Sequence, residues 1–124
     1  MDDVFYFTDR GVTLGEVAEL SATFGYELVS VSAKGLVLRM DSTGQELHVA
    51  PYDLGEGEPD EENELRSLGV QSAFCISHHR AAIQGLTLFL ARVLGKFGGW
   101  IGNDADGFHP RFDEATLREF RYPE

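Results

Sequence analysis

The chain has 124 residues, one domain's worth, and 43% of them are hydrophobic, enough for a core without covalent staples. Its single cysteine, Cys75, excludes an internal disulfide. Ten Lys and Arg against 21 Asp and Glu give a formal net charge of −11.

The charge is unevenly placed. Residues 1–64 hold three basic and fifteen acidic side chains, whereas residues 65–124 hold seven and six. Nucleic acid and anionic membranes are disfavoured as partners of the first half, because phosphate contacts need Lys and Arg. A basic protein partner is favoured instead. Two acids near the start give no basic signal-peptide region. The most apolar segment, residues 83–94, is interrupted by Gln84 and Arg92 and is too short to span a bilayer. The expectation is a cytoplasmic protein.

Residues 4–8 (VFYFT) read as a strand of aromatic and β-branched residues. Thr13 followed by Glu16 is a capping-box pattern, and Leu14, Val17, Ala18, Ser21 and Phe24 line one face of a helix that Gly25 stops. Residues 26–32, 36–40 and 46–52 read as three strands joined by the turns Lys34-Gly35 and DSTG at 41–44, so they pair antiparallel. Residues 53–64 (DLGEGEPDEENE) carry seven acids and no base. They read as an acidic loop with a weak helix start after Pro59, leaving room for two helical turns at 61–68.

Residues 71–77 read as the next strand. In residues 80–97, Ile83, Leu86, Thr87, Leu90, Val93, Leu94 and Phe97 recur at the spacing of one helix face, the floor of the core. Gly98-Gly99 stops this helix. A strand near 100–102, a return strand at 108–112 and a short helix over 114–120 capped by Asp113 complete the chain. The fold class expected is α+β, one domain over residues 1–124. Its sheet is mostly antiparallel with two main helices on one face, in the order β-α-β-β-β-β-α-β-(β)-α.

His78-His79-Arg80 falls where a strand gives way to the long helix. Cationic groups at a helix N-terminus oppose the macrodipole. A bound anion or the acidic segment would compensate, which makes these three residues a candidate anion site. Glu56, Glu58, Asp60, Glu61, Glu62, Asp104, Asp106 and Trp100 are the candidates for contact with a protein partner.

Cys75, His48, His78, His79 and His109 include no pair at zinc spacing. The Asp-rich run at 103–107 puts Gly102 where a calcium loop requires a carboxylate. No metal is expected. No serine lies in a nucleophile elbow and no glycine pattern cradles phosphates, so neither catalysis nor a cofactor is expected.

Residues 97–104 (FGGWIGND), following an amphipathic helix, resemble small acidic immunity proteins of bacterial polymorphic-toxin systems. Several of those families have a helix ending in Gly-Gly before a short strand, and the likeness covers residues 72–104. It implies a cytoplasmic protein that neutralises a toxin by binding it, without catalysis, and it assigns no individual residue. The functional expectation is a protein-binding inhibitor that occludes a basic toxin domain. The alternative is a small ligand-binding domain or enzyme with a pocket at His78, His79 and Arg80. A third reading is a homo-oligomeric structural module, such as a homodimer, that uses exposed aromatics such as Trp100 or Tyr122.

Overall fold

A computed structural model describes residues 2–40, 44–56, 58–79, 82–103, 108 and 110–120. Seven strands form one sheet: β1 (Asp2–Thr8), β2 (Tyr26–Ser32), β3 (Gly35–Met40), β4 (Glu46–Pro51), β5 (Ser72–His78), β6 (Trp100–Asn103) and β7 (Arg111–Phe112). The helices are α1 (Leu14–Ser21), α2 (Pro59–Ser67) and α3 (Ile83–Phe97). The order across the sheet is β2-β3-β4-β5-β1-β6-β7, and every neighbouring pair is antiparallel. The fold is α+β, as the strands joined by tight turns imply.

This topology explains where the helices lie. β5 and β6 flank β1 and both run antiparallel to it, so they are parallel to each other and α3 is a crossover. β1 and β2 are parallel as well, joined by α1 across three intervening strands. One crossover moves left from an upward strand and the other moves right from a downward strand. With the same right-handed sense, both must cover the same face. β4 and β5 are antiparallel neighbours, so the α2 connection escapes that rule. It packs on the opposite face.

Strand alternation sorts the side chains accordingly. Val4 and Tyr6 of β1, Leu36 and Leu38 of β3, Leu47 and Val49 of β4, and Phe74 and Ile76 of β5 form the main core with Val17 of α1. Leu86, Phe89, Leu90, Val93, Leu94 and Phe97 of α3 complete it, so this helix is the floor that its apolar stripe predicts. Phe5, Phe7 and Ala73 point the other way, into a smaller core with Leu65, Val70 and Phe108. β1 is therefore buried on both faces from Val4 onward, which is why Val4 to Phe7 are all apolar.

Two tyrosines tie α3 to the sheet. Tyr26 donates its hydroxyl to the Gly85 carbonyl in the first turn, and Tyr6 donates to Gly98 O at 2.6 Å beyond the last. Thr8 Oγ1 adds a bond to Phe97 O at 3.0 Å. Gly98 and Gly99 end the helix with φ of +72° and +88°. A Cβ on Gly99 would meet Phe7 O at 2.0 Å, so this glycine is what lets the chain turn directly onto β1 as β6.

Four expectations are corrected. The long helix begins at Ile83, with Ala82 as its cap, rather than at 80. The acidic stretch 53–64 is no simple loop, because α2 starts at Pro59 after one 3₁₀ turn at Leu54–Glu56. The last strand pairs only over Arg111–Phe112. The expected terminal helix reduces to a turn and one 3₁₀ turn, Leu117–Glu119. Its cap is nonetheless present: Asp113 Oδ1 accepts from Thr116 N and Oγ1, each at 3.0 Å. These bonds hold the Asp113 carboxyl below its usual pKa. The turn at 41–43, together with Arg80, Asp104, Asp106, His109 and Tyr122, lies outside the described residues.

Candidate functional site

Of the acids that the sequence singles out, Glu56 ends the 3₁₀ turn before helix α2, Glu58 is the N-cap, and the helix itself carries Asp60, Glu61 and Glu62. Proline at its first position has no N–H to leave unsatisfied and is preset for helical φ. Asp60, Glu61 and Glu62 occupy the first turn, where the helix dipole stabilises negative charge, and Arg66 stands in the last. The Glu61 carboxylate accepts from Glu58 N at 3.4 Å, and Glu62 accepts from Arg66 at 2.9 Å. Repulsion that would extend a loop is thus offset inside a helix. Only Leu65 of α2 is buried, so the helix rests on the sheet by one apolar anchor and turns its carboxylates outward.

Trp100 lies on the same face. Its ring packs against Phe7 with centroids 4.5 Å apart, and Arg111 covers it with Cζ 4.5 Å from the centroid. Arg111 Nη2 also reaches Glu64 Oε1 of α2 at 2.9 Å. Arg111 therefore joins two groups of candidates, the acidic helix and the tryptophan, that are far apart in sequence. Trp100 is half-buried and already engaged, so it is a support for this face rather than a free anchor. Beside it Phe5, Phe7, Tyr52 and Phe108 pack ring on ring at 5.0 to 6.4 Å. Phe108 holds a φ of +65° to join them, a conformation that costs a non-glycine residue energy unless its packing repays it.

The candidate anion site is not assembled as the sequence suggests. His78 continues the inward alternation of Phe74 and Ile76 and is fully buried. Its Nδ1 lies 2.9 Å from His79 O, and burial pushes its pKa below the usual value, so it is neutral near pH 7. His79 is exposed, outside the helix that begins four residues later. The three cations expected at the helix N-terminus lose their first member to the core.

Among the described residues, no helix lies over the half of this face away from α2. Ser30, Val37, His48, Ser77 and Asp3 form one row across five strands. Around it lies an open hollow of about 270 Å³, bordered by Ser32, Lys34 and Ala50. Ser77 donates to Asp3 Oδ1 at 2.6 Å, and His48 Nε2 lies 3.4 Å from Glu46 Oε1. Glu46 also accepts from Arg39 at 3.0 Å, which holds its pKa below the usual carboxylate range. The Ser77 hydroxyl is thus held by a carboxylate of the neighbouring strand. Half-buried Cys75 lies beside it. Among the described residues no group of three or more His, Cys, Asp or Glu could hold a metal ion. Among them, too, no helix is long and apolar enough to cross a membrane.

The chain matches no protein-family model, no curated protein and no solved structure.

Proposed function

We propose that this chain is a protein-binding inhibitor of the immunity type, acting in the bacterial cytoplasm. It neutralises a cognate basic toxin by occluding the toxin's active surface, with no chemistry of its own. The observation that carries this reading is the display of α2: its acids sit on an ordered helix, and only one residue of that helix is buried. A rigid acidic face attracts a basic partner without paying the ordering cost of a flexible tail. Complementary charge speeds encounter, and desolvated contacts at the centre of the interface set the lifetime.

The reading expects a toxin domain encoded beside this chain's gene, and the test uses that domain. Co-expression with the chain restores growth of cells producing that domain. Neutralising Glu56, Glu58, Asp60, Glu61 and Glu62 to Gln or Asn slows association about tenfold at low salt and changes dissociation much less. Failure to protect the cells, or an association rate indifferent to those charges, removes the proposal.

A further inference from the structure

We propose that β2 is a self-association edge, through which two copies of this chain pair antiparallel about a two-fold axis and join their sheets. The surface is independent of the acidic helix, and the proposal does not rest on the function proposed above.

β2 ends the sheet, and among the described residues no strand pairs with its far side. It is seven residues long, YELVSVS, with one charge and neither proline nor lysine to blunt it. Leu28, Val29 and Val31 are 43%, 42% and 57% exposed, and they are three of the five exposed large hydrophobics among the described residues. The opposite edge, β7, has only two residues.

The register within β2 says what fits there. Leu28 stands opposite Leu38 and Val31 opposite Leu36, with a bulge between Leu28 and Ser30. Residues facing each other across a pair share a sheet face, so the bulge brings Leu28 and Val31 to the same face, that of buried Leu36 and Leu38. A bulge usually hinders pairing with a regular strand, because the extra residue meets no counterpart. A second copy supplies one. With Leu28 opposite the partner copy's Val31, each Val29 meets the other's Ser30, and the extra residue is matched on both sides. Two Leu–Val contacts then close on the helix-bearing face.

Charge selects the same occupant. The whole chain is −11, but residues 26–40 carry only Glu27, Lys34 and Arg39. Two acidic copies can approach through this hairpin with the least repulsion. In the register above, Glu27 stands opposite the partner copy's Ser32, beside the turn that carries Lys34 at the rim of the same face's hollow, and the pair occurs twice by symmetry. A basic partner has no such reason to choose this edge.

Seven residues a side compare with roughly 20–30 in a standard interface, so the dimer is weak and concentration-dependent. Its two acidic bodies repel over a Debye length of about 8 Å at physiological salt. Self-association therefore strengthens as salt rises, opposite in sign to the capture of a basic toxin.

The experiment is sedimentation equilibrium of the full chain over a wide concentration range, with circular dichroism confirming that each variant is folded. The expected result is a mass rising from one chain toward two, with association weakened at least tenfold by Val31→Lys. Glu27→Lys and Lys34→Glu each weaken it. Mixing these two variants, or combining both substitutions in one chain, restores it, because opposite charges meet again at both ends. A monomer at every concentration overturns the proposal. So does a dimer that Val31→Lys leaves intact, or one that the charge swap does not rescue. Hydrogen exchange provides a further arm: protection of β2 amides that appears only when the toxin domain is added assigns the edge to that partner and overturns self-pairing.

Discussion

Arg111 stands over the ring of Trp100, its guanidinium carbon 4.5 Å from the centroid, and so holds β7 against β6 through side chains as well as backbone. The same guanidinium binds Glu64, which makes one side chain the link between the sheet's short edge and the acidic helix. Replacing it with methionine keeps most of the stem and removes the charge. The loss expected is about 1–2 kcal/mol, the combined order of a cation–π contact and a partly exposed ion pair. Urea unfolding of Arg111→Met, Glu64→Gln and the double variant checks it. The effect of Glu64→Gln should be smaller in the Arg111→Met background, and full additivity would show that the two residues do not act together.

The tyrosine ties to α3 make a prediction at high pH. Burial pushes Tyr6 and Tyr26 from 10.0 up to about 12. The unfolded chain therefore loses these protons first. The stability they contribute is complete below pH 10 and is lost as pH rises from 10 toward 12. Tyr6→Phe and Tyr26→Phe should each cost about 1 kcal/mol at neutral pH and make the alkaline limb shallower. Thermal melts between pH 8 and about 11, read with phenolate absorbance, measure both effects. An alkaline limb that is unchanged in the double variant would contradict the assignment.

His78 makes the matching prediction at low pH. Its folded pKa lies below 6.5, so on acidification the unfolded chain takes up a proton before the folded one. Stability is complete above about pH 6.5 and falls as pH drops below it. His78→Gln should flatten the melting temperature between about pH 6.5 and 5, whatever it costs at pH 7. A slope as steep as in the parent chain would place the titrating group elsewhere.

Gly99 and Gly11 form an internal control. Gly99→Ala drives a methyl into Phe7 O at a φ of +88° and should cost at least about 2 kcal/mol. Gly11 has nothing within 4 Å of an added Cβ and no positive φ. Gly11→Ala should be neutral or stabilising by up to about 1 kcal/mol. Denaturant midpoints of the two variants decide it.

Most of the sheet was legible because strands with one solvated face alternate. Leu36 and Leu38 against Val37 and Arg39 reveal β3 and its direction of burial together. β1 reveals only that it is a strand: Val4 to Phe7 are all apolar, so nothing in the letters says which face takes which core. The helix in the acidic stretch could be read only as a weak start after Pro59, for a related reason. Seven carboxylates mask the one apolar anchor, Leu65, and the benefit of acids in a first turn appears only once the helix exists.

At the candidate site, the tryptophan and the acids could be named separately, but their union through Arg111 could not. One of three arginines near the C-terminus gives no sign that it reaches residue 64. The misplacement of His78 could have been avoided, since Phe74, Ile76 and His78 share one period-two row. The edge position of β2 was out of reach, because strand order depends on the handedness of two crossovers and not on any local pattern.

The place of β1 between β5 and β6 sets a timetable for synthesis. The ribosome makes β1 before either of its neighbours; one flank stays bare until β5 ends at His78 and the other until β6 ends at Asn103. A nascent chain thus holds VFYFT, its most aggregation-prone strand, without a partner for most of its own translation. The β2–β3–β4 meander can pair by itself in the meantime, but the sheet cannot close until Asn103 is out. Expression yield should therefore depend more on chaperone supply and translation rate than on the stability of the finished fold.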